Sequence, residues 1–85
     1  MNKSYKGIRK YKDSDGFEVF DIIIIRWNKN SEWYEIETYD CIPSMEVKGI
    51  NPDILGQWAK DLSAAKKKAL MDTGLKSSDF EWEEI

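Results

Sequence analysis

The run Phe17 to Trp27 constrains this chain more than any other segment, because apolar residues fill both of its alternating sets: Phe17, Val19, Ile23, Ile25 and Trp27 on one, Phe20, Ile22 and Ile24 on the other. A strand with one face in water is apolar on one set only, so this pattern predicts a strand covered on both faces and therefore central in its sheet. Turn chemistry brackets it. Asp13-Ser14-Asp15-Gly16 precedes it and Asn28-Lys29-Asn30-Ser31 follows; Asp and Asn bond their own backbone two residues on, and Gly accepts positive φ. Strands are accordingly predicted over Ser4 to Tyr11 and Glu32 to Tyr39. In the latter, Tyr34, Ile36 and Thr38 alternate with Trp33, Glu35 and Glu37, which gives one core face and one acidic face.

Pro43 and Gly49 interrupt any period between Asp40 and Ile50, so that stretch is a connection. Beyond it Asn51-Pro52-Asp53 has the chemistry of a helix start, with Asn as N-cap, Pro at the first helical position and Asp at the positive dipole end. Leu55, Trp58, Leu62, Ala65 and Ala69 share a stripe at helical spacing, and Gly74-Leu75 reads as a stop, so a helix is expected from about Pro52 to Thr73. Asp79 to Ile85 alternates again, with Phe80 and Trp82 on one side, as a half-buried final strand does. The expectation is a single α+β domain over residues 1–85: an antiparallel sheet of about four strands with one helix packed on one face, in the order β-β-β-α-β.

The functional classes narrow by chemistry. The chain has eleven aromatic residues and no histidine, so neutral-pH acid-base catalysis would need a strongly perturbed Glu, Asp, Lys or Cys. Binding is therefore expected rather than catalysis. Cys41 is the sole cysteine; it has no His to activate it, is too few for a zinc site, and is expected to be a small, partly buried hydrophobe. Asp13 to Gly16 resembles the start of a calcium loop, but the required twelfth-position carboxylate falls on Ile24. Asp79, Glu81, Glu83 and Glu84 lie on a strand, where their side chains do not converge on a cation. No metal or cofactor is expected.

No apolar run approaches the roughly 20 residues needed to span a bilayer. The start, Met1-Asn2-Lys3-Ser4, lacks an apolar signal region, and one cysteine makes no internal disulfide, so a reducing cytoplasm is expected. The net charge of −3 disfavours nonspecific association with nucleic acid and favours a basic protein partner, such as a nuclease. Trp33, flanked by Glu32 and Glu35, is the aromatic expected at the surface, because Tyr34 and Ile36 claim the core side. An alternative is a small nucleic-acid-binding module using Lys66, Lys67 and Lys68 with the basic first strand; lysines in the last turns of a helix also simply complement its dipole. An edge position for the first strand would let it pair with its copy in a homodimer.

Three segments carry a resemblance. Met1-Asn2-Lys3-Ser4-Tyr5-Lys6, the Ala- and Lys-rich stretch Trp58 to Leu70, and the closing Ser78-Asp79-Phe80-Glu81-Trp82 are similar to the small type II-C anti-CRISPR proteins, which inhibit Cas9 by binding its HNH nuclease domain. The resemblance covers about a quarter of the chain. It implies a phage or mobile-element protein that masks a nuclease active site without doing chemistry. In that family a Ser-Cys pair ahead of the last aromatic strand contacts the nuclease's catalytic residues. Ser78 matches the Ser. Asp79 stands in the Cys position, where a carboxylate can pair with a catalytic His or a basic rim. The middle of the chain, Phe17 to Tyr39, is more strand-like and aromatic than the family pattern. The binding surface expected from charge, aromatics and resemblance together comprises Ser77, Ser78, Asp79, Glu81 and Trp33.

Overall fold

The computed structural model describes residues 2–85, with the backbone alone over residues 56–59. Among these residues five strands form one antiparallel sheet: β1 (Tyr5–Lys12), β2 (Glu18–Asn28), β3 (Trp33–Ile42), β4 (Asp53–Ala59) and β5 (Glu81–Glu84). Their spatial order is β4-β3-β2-β1-β5, and one helix, α1 (Leu62–Leu70), lies between β4 and β5 in sequence. The fold is α+β, with one strand more than the sequence reading allowed.

β2 is the middle strand, and both its faces are covered. On the helix side Ile23 and Ile25 pack with Tyr34, Ile36, Ala65, Ala69 and Phe80. On the other side Phe20, Ile22 and Ile24 pack with Tyr39 and Ile42, and Val47 and Ile50 of the 43–50 connection close over them. Ile22, Ile25 and Ile36 are fully buried, each worth about 1.5–3 kcal/mol of apolar transfer. The Asp13 turn forms as its chemistry dictates: Asp13 Oδ1 accepts from the backbone N–H groups of Asp15 and Phe17, each at 2.9 Å, and Gly16 takes φ +85°. Asn28 Oδ1 likewise accepts from the N–H of Asn30 at 2.9 Å, opening the β2–β3 turn.

The helix start is the main correction. Asp53–Ala59 is a strand paired antiparallel to β3, with Thr38 opposite Asp53 and Ile36 opposite Gly56. Two local facts outweigh the helical spacing of Leu55 and Leu62. Gly56 inside a helix costs about 1 kcal/mol relative to Ala, and β3 has an open edge that rewards an extended neighbour with backbone hydrogen bonds. Trp58, assigned to the helical stripe, has a strand backbone, and its side chain lies outside the described residues. The working N-cap is Asp61, whose Oδ1 accepts from the Ala64 N–H at 2.8 Å. Gly74 does take a positive φ, of +75°, but beyond the C-cap at Met71.

β1 is also corrected. It lies between β2 and β5, with Tyr5 to Ile8 paired to β5, so it is not the edge strand through which a copy would pair. Cys41 is exposed instead of partly buried. A register shift between Phe20 and Ile22 sets Asp40-Cys41 against Asp21, and at this bulge Cys41 adopts φ +54°.

Candidate functional site

The Ser77–Asp79 segment forms a single 3-10 turn leading into β5. Its position is fixed from both ends. Phe80 is buried in the helix-side core, and Trp82 packs against that core with its ring centroid 5.9 Å from that of Phe80. The Trp82 indole N–H donates to the Ser77 carbonyl at 2.9 Å, and the Asp79 carboxylate accepts from the Lys76 N–H at 2.8 Å. Trp82 sits directly over Gly7, where a Cβ would come within 2.7 Å of its ring. Only glycine admits the indole here, so a residue of β1 helps set the position of the turn.

Ser78, the middle residue of the turn, is exposed and its hydroxyl has no partner among the described residues. Asp79 is exposed but committed in part to its cap. Glu81 pairs in register with Ile8, and with Asp79 it lines a groove of about 400 Å³ that also takes in Arg9, Lys10 and Met45. Ser77, Ser78, Asp79 and Glu81 thus occupy one corner of the molecule.

Trp33 does not join them. It lies at the start of β3 opposite Asn28, three strand spacings from β5, or about 14 Å across the sheet. Along β2 the offset from Ile22, which aligns with Ile8 and Glu81, to Asn28 adds about 20 Å. Trp33 is half-buried in a separate shallow groove of about 370 Å³ with Glu35, Glu37 and Ile54, the last 72% exposed. There Glu35 accepts from the Asn28 side-chain amide at 2.6 Å, and Glu37 accepts from Arg26 Nε at 3.4 Å. The residues grouped in the sequence therefore form two surfaces.

The lysines divide too, since successive helical residues point about 100° apart. Lys66 holds its ammonium 4.4 Å from the centroid of the Trp82 ring. Lys66 and Lys67 line a groove of about 520 Å³ together with Leu62, Leu70, Leu75, Lys76 and Ser77. Lys68 lines a different groove, beside Asp40, Asp53 and Asp72.

Sequence reasoning missed a polar hub on β2 at Asp21, next to Ile22 in the register that carries Glu81. Asp21, 9% exposed, accepts from Arg9 Nη1 at 2.9 Å, from the Tyr11 hydroxyl at 3.0 Å and from the Cys41 N–H at 2.9 Å. The signal was present: a carboxylate set between Phe20 and Ile22 in the most apolar run has to find partners. Burial, then the hydrogen bond from Tyr11 to Asp21, pushes the Tyr11 phenol far above its ordinary value. Asp40 beside it is raised above the usual carboxylate range by burial first, then by the charges of Asp21 and Asp53. Asp21, Thr38, Asp40, Asp53 and Asp72 line a groove of about 720 Å³ at the C-terminal end of α1.

No helix among the described residues is long and apolar enough to cross a membrane. Comparison with protein-family models, with curated proteins and with solved structures finds no match.

Proposed function

We propose that this chain is a small phage or mobile-element protein that inhibits a host defence nuclease by binding it in the cytoplasm, in the manner of the type II-C anti-CRISPR proteins it resembles, and that it performs no chemistry of its own. The observation that carries this reading is the Ser77–Asp79 turn: an exposed, unpartnered Ser78 on a backbone pinned by the Trp82 indole and by the Asp79 cap. Pinning matters because a contact residue that is already ordered loses little entropy on binding. The first and last of the resembling segments are far apart in sequence but run into the adjacent strands β1 and β5, which pair just beyond them, Gly7 opposite Trp82 and Tyr5 opposite Glu84. Ile85 N–H donates to the Ser4 carbonyl at 2.9 Å, and Lys3 bridges Glu84 at 3.2 Å. Ser78 and Asp79 would meet the catalytic residues of an HNH nuclease domain, and Glu81 would face its basic rim.

The test mixes the purified chain with the HNH domain of type II-C Cas9 proteins, follows complex formation by size exclusion and calorimetry, and measures target-DNA cleavage by the full nuclease. A complex that blocks cleavage is expected. Ser78→Arg should weaken it at least about tenfold without lowering the melting temperature, since Ser78 is exposed and its hydroxyl has no partner among the described residues. Asp79→Asn keeps an acceptor for the Lys76 N–H and isolates the charge. Absence of a complex with any such nuclease removes this function; a complex indifferent to Ser78→Arg removes the turn from it.

A further inference from the structure

The groove between α1 and residues 75–77 is strongly basic in a chain of net charge −3. Lys66 and Lys67 approach it from the helix and Lys76 from the segment that follows, and no carboxylate is among its lining residues. Its floor is the half-buried Leu62, Leu70 and Leu75, which pack on the helix-side core. We infer that this groove receives an acidic segment of the protein partner, with apolar side chains set on the leucines and carboxylates on the lysine rim. The inference rests on the proposed function and gives that partner a second contact, because Ser77 lines the groove and also opens the turn.

Helix-dipole complementation explains Lys67 and Lys68 in the last turn of α1, but not Lys76, which lies beyond the helix. Convergence of lysines from two segments on an apolar floor is charge complementarity for an acidic, partly apolar ligand. The volume, about 520 Å³, falls within the range of built ligand pockets. Single-stranded nucleic acid is the less suitable occupant, because it takes much of its affinity from stacking on open aromatic faces. The adjacent ring, Trp82, carries Lys66 on its face, and leucines form the floor. Trp82 also links the two contacts, holding the Ser77 carbonyl by its indole N–H while its face orders Lys66.

The experiment titrates the HNH domain used above with the wild-type chain, with the Lys67→Glu/Lys76→Glu double variant and with the Lys67→Gln/Lys76→Gln double variant, at low and at physiological salt. Both lysines are exposed, so the Gln pair should melt close to the wild type, and the Glu pair slightly below it because a carboxylate at position 67 opposes the helix dipole. The expected result is at least about tenfold weaker binding for the Glu pair, an intermediate loss for the Gln pair, and a shallower salt dependence for both. Wild-type binding that neither pair alters overturns the groove while leaving the proposed function standing; no wild-type binding removes both. In a parallel arm, labelled single-stranded DNA or RNA that binds the wild type and is released by the Glu pair would overturn the peptide assignment in favour of nucleic acid.

Discussion

Single residues in this small domain hold up the fold, and some the proposed binding turn as well. Gly7 is the clearest case: its missing Cβ makes room for Trp82, and Trp82 holds the Ser77 carbonyl. Gly7→Ala should therefore cost about 1–3 kcal/mol by overpacking and, on the proposed function, should also weaken nuclease binding, because displacing the indole strains its hydrogen bond to the turn. Urea unfolding and calorimetry on the same variant read the two effects. Asp21 is the second case. Asp21→Ala strips a partner at once from Arg9, Tyr11 and the Cys41 N–H, so a loss of about 3 kcal/mol is expected in urea unfolding. The Gly7 dependence was not visible residue by residue, since its neighbour Trp82 lies at the other end of the chain, whereas Asp21 carried a signal in its apolar surroundings.

At the scale of elements, strands whose pattern is set by alternation and local turns were legible, and the start of the helix was not. β2 was recognisable because both its residue sets are apolar, and its turns because Asp13 and Asn28 bond their own backbones. The 51–61 stretch misled because Asn51-Pro52 has good capping chemistry while Asp61 has it too, and the choice depends on whether β3 has a free edge. The two caps give opposite forecasts. Asp61→Ala should remove about 1 kcal/mol of stability, whereas Asn51→Ala should stay within about 0.5 kcal/mol, as read by thermal or urea unfolding. The turn residues Ser77 to Asp79 entered the candidate surface through charge and resemblance, not through any local pattern that marks a turn. That Asp79 caps the turn required the fold, since the extended strand expected from Asp79 onward has no use for a cap.

For the whole molecule, burial and charge set the response to pH. Tyr11, Tyr34 and Tyr39 all have phenols raised above the ordinary value, with burial the largest cause in each. The unfolded chain gives up these protons near pH 10 while the native state holds them. Stability should thus be intact below about pH 10 and fall as pH rises past it, with Tyr11→Phe making the fall shallower in urea titrations across that range. Asp40 works at the acid end. Its raised carboxyl means that ionisation disfavours the native state, so Asp40→Asn should stabilise at neutral pH, and the gain should vanish as pH drops below the carboxylate range. The sequence by itself determined the class of fold, the central strand, its turns and the core face of β3, because alternation and turn chemistry act between residues close in the chain. Only the tertiary structure decided that Trp33 and the Ser77–Asp79 turn occupy different surfaces, that residues 53–59 extend along β3, and that lysines from two segments converge on one groove. Those outcomes depend on which strand edges are free and which distant residues become neighbours, and no local pattern encodes that.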